Sequence, residues 1–179
     1  MTIFKYKDEE ALGAVLSVDT AMVIIKVGDL DRLRRMQVNR LVVLQSSKAG
    51  QYLIGVVQKI TRSSVEQELS VEQEGDPIEI ESIMPQLNLV RVTLIGTLID
   101  KVGTKENVFR RTLETVPEID AKCFAVEGDI LTSFMRVIAN VADEGQKLSL
   151  GHYTLDEDAE AYLNGNKFFQ RHAIIVGST

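Results

Sequence analysis

A chain of 179 residues, 45% of them hydrophobic, has room for one or two small domains with a buried core. Its net charge of −6 disfavours wrapping nucleic acid or lying on an anionic membrane, because both need clustered Lys and Arg. A single cysteine, Cys123, excludes an internal disulfide framework and a cysteine zinc cluster, and so suits a reducing compartment. The first ten residues carry no apolar leader, and no uncharged apolar run approaches the roughly 20 residues that span a bilayer. The expected location is therefore cytoplasmic, with no membrane partner.

In chain order, Ala11 to Val18 reads as a strand, Asp19-Thr20 as a turn, and Ala21 to Val27 as the second strand of a hairpin. Gly28 to Gln37 is polar, with Leu30, Leu33 and Met36 at near-helical spacing over one or two turns. Arg40 to Ser46 and Tyr52 to Ile60 are further strands around a Ser47 to Gly50 turn. Ser63 to Gly75 carries Glu66, Glu68, Glu72 and Glu74 and reads as a solvated loop or frayed helix. Ile78 to Met84 has no clear pattern. Leu87 to Val102 alternates, is rich in β-branched residues, and is the strongest strand signal in the chain. Val108 to Thr115 is another strand, and Ala121 to Val126 is expected to pair at a sheet edge.

Gly128-Asp129 then opens a helix, with Asp129 as the expected N-cap. Ile130, Leu131, Phe134, Val137 and Ile138 fall on one face of it. Lys147 to Gly151 and Ala159 to Leu163 are short extended segments. Asn164-Gly165-Asn166 signals a turn, and His172 to Val176 reads as a closing strand. Six or so short strands, three with glycines inside them (Gly13, Gly55 and Gly96), favour a closed barrel, since closure removes exposed edges. The expected fold is mostly β with some helix: a small barrel over 1–127, then a helix and strands over 128–179.

No catalytic constellation stands out. His152 and His172 lack paired cysteines and a nucleophile within a recognisable motif, so packing or hydrogen bonding is their expected role. Glu114, Glu118 and Asp120 cluster around Pro117 with no sign of burial, and they receive no role. The densest basic group is Arg32, Arg34, Arg35 and Arg40, near Lys26. It is either a solvated loop paired with Asp29 and Asp31, or a subunit contact of the kind arginine favours. DNA contact ranks below both, because no aromatic residue is interleaved for base stacking. Arg110 and Arg111 are read the same way. Phe134, Met135, Phe168 and Phe169 are expected to pack.

The chain's last residues, Ala173-Ile174-Ile175-Val176-Gly177-Ser178-Thr179, combine an apolar run with a glycine turn. A phosphate-binding P-loop, G-x-x-x-x-G-K-[ST], follows directly after such a strand. On this reading Gly177, Ser178 and Thr179 open the loop, and its second glycine and lysine lie beyond Thr179. Three residues make no phosphate cradle, so no cofactor is expected on this chain itself.

Leu148-Ser149-Leu150-Gly151-His152-Tyr153, Ala159 to Asn164 and Phe169-Gln170-Arg171-His172, leading into Gly177-Ser178-Thr179, resemble the approach to the motor domain in HerA-family ATPases. These are hexameric DNA translocases of the FtsK/HerA group. Gly13-Ala14-Val15 and Gly55-Val56-Val57 are similar to strands of that family's N-terminal barrel. His152-Tyr153 departs from the apolar residue usual after the glycine. The resemblance implies a parent that uses ATP and Mg, forms a hexamer with DNA in its central channel, and works with a nuclease or effector protein. It also implies that the barrel assembles the ring and docks the partner, with Arg171 facing a neighbour's nucleotide. The alternatives are a self-standing barrel adaptor and a small-ligand-binding barrel, neither related to ATPases.

Overall fold

The computed structural model describes residues 3–64, 86–141, 144–170, 174, 176 and 177. Nine strands and three helices are described: β1 (Gly13–Asp19), β2 (Met22–Val27), α1 (Leu30–Arg35), β3 (Leu41–Gln45), β4 (Gln51–Ser64), β5 (Gln86–Val102), β6 (Lys105–Arg110), β7 (Lys122–Ala125), α2 (Gly128–Ala139), β8 (Lys147–Tyr153), β9 (Asp156–Asn164) and α3 (Gly165–Phe169). The acidic run from residue 65 onward and the 78–84 segment lie outside the described residues.

The main sheet runs β2-β1-β7-β3-β4-β5-β6, and β2 also pairs with β5. That extra pairing, from Met22↔Thr93 to Val27↔Asn88, closes six strands into a barrel and leaves β6 as an extension outside the ring. The expected barrel is present. β7 corrects the edge assignment for Ala121 to Val126: it lies in the wall, paired with β1 on one side and β3 on the other. Four residues are short for an edge strand with one ladder, but two ladders hold them in place.

β5 accounts for the shape. Its first half pairs with β2 and with the far half of β4, and its second half pairs with the near half of β4 and with β6. The partner change falls next to Gly96, where a Cβ atom would run into the carbonyl oxygen of Arg110 and the ring of Phe109. Gly55 faces the same constraint against Val92, beside a break in the β4–β5 register. Glycine at these two positions lets neighbouring chain come closer than any side chain allows.

Strand alternation then sorts apolar residues onto two cores. Val42, Leu44, Leu53, Val57, Val90, Val92 and Cys123 fill the barrel. Val43, Ile54, Leu98, Phe124 and Val126 point outward and pack beneath α2 with Phe4, Leu131, Phe134 and Ala159. These strands therefore read as continuous apolar runs, because both of their faces are covered. α1 stoppers the barrel. Leu33 and the fully buried Met36 pack into its interior, while Leu30, expected on the same face, stays 47% exposed.

α2 starts two residues earlier than expected. Glu127 is its N-cap, and Asp129 lies in the first turn. Asn140 ends the helix in the left-handed conformation that asparagine tolerates. Only Leu131 and Phe134 of the expected apolar face are fully buried, and Ile138 is exposed. Phe134 meets Phe109 edge-on at 5.3 Å and Phe4 at 6.0 Å. β8 and β9 form a separate antiparallel hairpin on α2. Asn164-Gly165-Asn166 is a helix start, not a turn, because the Asn164 side chain accepts the Lys167 N–H at 3.1 Å and caps α3.

The closing strand expected over 172–176 is not seen where the chain is described. Ile174 and Val176 lie in no strand and are 85% and 87% exposed. The remainder of 171–176 lies outside the described residues.

Phe134 joins the helix to the barrel's outer wall. F134A is expected to destabilise the chain by about 3–5 kcal/mol, the cost of emptying a buried phenylalanine site. Chemical denaturation monitored by circular dichroism measures it.

Candidate functional site

The four arginines do not act as one patch. Asp29 caps α1 by accepting the Arg32 N–H at 2.7 Å and also pairs with the Arg32 guanidinium at 3.1 Å. Arg34 pairs with Asp31 at 2.9 Å, fully in solvent. Both contacts match the solvated-loop reading. Exposed pairs of this kind contribute about 0–1 kcal/mol.

Arg35 and Arg40 reach across the fold instead. Both bind the carboxylate of Glu127, Arg40 at 3.5 Å. Arg40 also donates to the Leu155 carbonyl at 2.5 Å, in the β8–β9 turn. Asp156, next in that turn, accepts the Gly128 N–H at 2.8 Å, where the helix dipole favours a negative charge. Barrel, helix and hairpin thus meet at one polar junction. Arg35 and Arg40, expected at a subunit contact, pair with a carboxylate of the same chain.

Beside this junction lies an open cleft of about 400 Å³. Its walls are Leu41 and Val126 of the barrel, Leu131 and Met135 of α2, and Tyr153 and Leu155 of the hairpin, with Arg40 and Asp156 at the polar end. A small number of polar groups around an apolar hollow is the usual make-up of a ligand site. Sequence reasoning missed it, because its walls come from four separate stretches of chain with no shared motif. Met135 packs against the outer core as expected and also lines this hollow.

The other singled-out residues lie apart. Arg110 pairs with Glu114 at 2.7 Å, which separates Glu114 from the exposed Glu118 and Asp120. His152 is exposed on β8, opposite Glu160. Phe169 is exposed, while its ring meets Phe168 edge-on at 5.3 Å. Arg171, His172, Ser178 and Thr179 lie outside the described residues, and nothing surrounds the backbone of Gly177 within 4 Å of where a Cβ would sit. The converging N–H groups and the lysine that ATP phosphates require are not supplied by the residues present, so no step is derived through a nucleotide. Among the described residues, no group of three or more His, Cys, Asp or Glu is placed to hold a metal. No helix among them is long and apolar enough to cross a membrane.

Two environments perturb ionisable groups. Burial inside the barrel pushes the Cys123 thiol up to about 12. On the hairpin, Lys147 and Glu160 pair, and the shared hydrogen bond raises the lysine's pKa and lowers the carboxylate's. Comparison with protein-family models finds no match to this chain, and no curated protein matches it.

Three outcomes follow from these contacts. R40M is expected to cost about 1.5–3 kcal/mol, the range for hydrogen bonds to a charged group, and to speed amide exchange at 153–156 before exchange in β3 and β4. Cys123 is expected to resist iodoacetamide at pH 8 until the chain unfolds, since the thiolate is the reactive form. The Glu160 pKa is depressed by folding, so its contribution is present above the ordinary carboxylate range and is lost as pH falls through the folded value. E160Q is therefore expected to lower the melting temperature at pH 7 and to leave it unchanged near pH 2.

Proposed function

We propose that the chain is the assembly and partner-docking domain of a HerA-like, ATP-dependent DNA translocase, acting without catalysis of its own. The observation that carries this reading is the closed barrel at the front of the chain, followed in order by a helix and a hairpin whose residues carry the resemblance. In this role the barrel joins neighbours into a ring and holds the motor domains in register around a central channel. ATP and Mg bind the parent's motor and not this domain. DNA threads the channel, and a nuclease or effector docks on the barrel ring.

The test is the reading frame beyond codon 179. It is expected to continue Gly-Ser-Gly-Lys and then Ser or Thr. A chain extended through that loop should hydrolyse ATP and lose the activity when the lysine is replaced by alanine. A stop codon or unrelated sequence at that point overturns the reading.

The apolar cleft favours a second reading, in which the barrel and α2 bind a small ligand. That reading expects a metabolite that raises the melting temperature of the wild-type chain and has no effect on M135W, whose indole fills the hollow. A metabolite panel that shifts neither protein removes it.

A further inference from the structure

The barrel's outer surface has two unlike sides. α2, the hairpin and the N-terminal segment cover the side around β3, β7 and the near half of β4. The outward-facing residues of β2, β5 and the far half of β4 belong to neither core. They form rows across the three strands: Ile24, Arg91 and Lys59 in one, Lys26 and Leu89 in the next. Lys26, Lys59 and Arg91 are exposed, and among the described residues none of them has an ion-pair partner. Arg91 and Lys59 stand directly opposite each other, an arrangement of like charges that destabilises an antiparallel pair. Ile24 and Leu89 beside them are half-buried.

A second surface has the complementary make-up. The loop entering β7 lies along β1, with the Asp120 N–H donating to the Val15 carbonyl at 2.9 Å and the Val15 N–H donating to the Ala121 carbonyl at 3.0 Å. It presents Val116, Glu118, Ile119 and Asp120 to solvent, beside the exposed Leu16. Neither Glu118 nor Asp120 has an ion-pair partner among the described residues. Around the barrel the strands run β2, β1, β7, β3, β4, β5, so β5 stands across from β7 and β4 across from β1. Lys26 and Asp120 line one hollow beside β1, so the opposition holds for Lys59 on β4 and Arg91 on β5, which stand across the ring from the loop, and not for Lys26.

We propose that the β2–β5–β4 wall of one copy receives the 116–120 loop of the next copy. The inference rests on the ring-forming reading above and supplies the surfaces for it. Two different patches on opposite sides of a subunit make a head-to-tail contact, which closes into a ring when the rotation per subunit allows. Lys59 and Arg91 meet Glu118 and Asp120, the charges fix the register, and Ile24, Leu89 and Ile119 supply the apolar centre. Nucleic acid fits the wall less well, since none of its outward residues is aromatic and its cations are few and interspersed with apolar side chains.

The test is charge reversal read by sedimentation equilibrium on the whole chain. The wild type is expected to self-associate, more weakly at high salt. K59E/R91E is expected to weaken association at least about ten-fold, as charge clashes at interfaces do. E118K/D120N should do the same, with asparagine chosen because residue 120 has a φ of 65°. A one-to-one mixture of the two variants should associate again, because each then offers a patch opposite in charge to the other's. If the reversed pair melts early, K59Q/R91Q replaces it, with an intermediate loss expected. A wild type that stays monomeric at every concentration, variants that associate as the wild type does, or a mixture that fails to recover each overturn the proposal. Duplex DNA that binds the wild type and is lost with K59E/R91E assigns the wall to nucleic acid, and also overturns it. None of these results depends on the sequence beyond residue 179, so a failure here and a failure of the translocase reading are told apart.

Discussion

The structure depends on one strand serving two sets of partners. β5 is 17 residues long, well beyond the usual strand of about 5–6 residues. Its first half hydrogen-bonds β2 and closes the ring, while its second half leaves the ring and carries β6. Without the β2 pairing the sheet has two open edges, and the residues that fill the barrel face water. Gly96 and Gly55 permit the change of direction, because any side chain there collides with the adjoining strand. Every later feature, including the wall that α2 covers and the wall left bare, follows from where β5 turns outward.

The second half of β5 also creates the seat for the rest of the chain. Leu98 and the neighbouring Phe109 of β6 point away from the barrel and meet Phe134, Phe4 and Phe124. That apolar seat provides most of the attachment between barrel and helix. The polar junction of Arg35, Arg40, Glu127 and Asp156 adds direction. It sets where α2 starts and where the β8–β9 turn lies, and it leaves a hollow between them that the side chains do not fill.

These two layers of construction explain why charge is distributed as it is. Arg35 and Arg40 beside the junction pair with Glu127 inside the chain. Lys59 and Arg91 on the other wall have no such partners among the described residues, and they sit among half-buried aliphatic residues. The proposed contact between copies draws on this distribution: cations on β4 and β5, and carboxylates across the ring, that have no ion-pair partner among the described residues. A barrel used as a ring segment needs such a contact whatever motor it carries.

Strand alternation, the interior glycines and the scarcity of exposed edges made the barrel legible in the sequence, because local sterics and burial impose those patterns on any chain that folds this way. The helix over 128–139 was legible from its 3.6-residue period. Hydrogen bonds to particular neighbours could not be read, and several assignments shifted for that reason. β7 became a wall strand because two ladders reach it. Asp129 yielded the N-cap to Glu127 in a junction whose other members lie far apart in sequence. Arg35 and Arg40 were drawn from a surface cluster into the fold by a carboxylate about ninety residues away. Ile174 and Val176 have the composition of a buried strand and are exposed, because composition does not say what a residue packs against. Sequence alone determined which residues seek burial and with what period. Only the tertiary structure decided which of them meet, because closure, charge pairing and the opposition of the two walls are properties of residues distant along the chain.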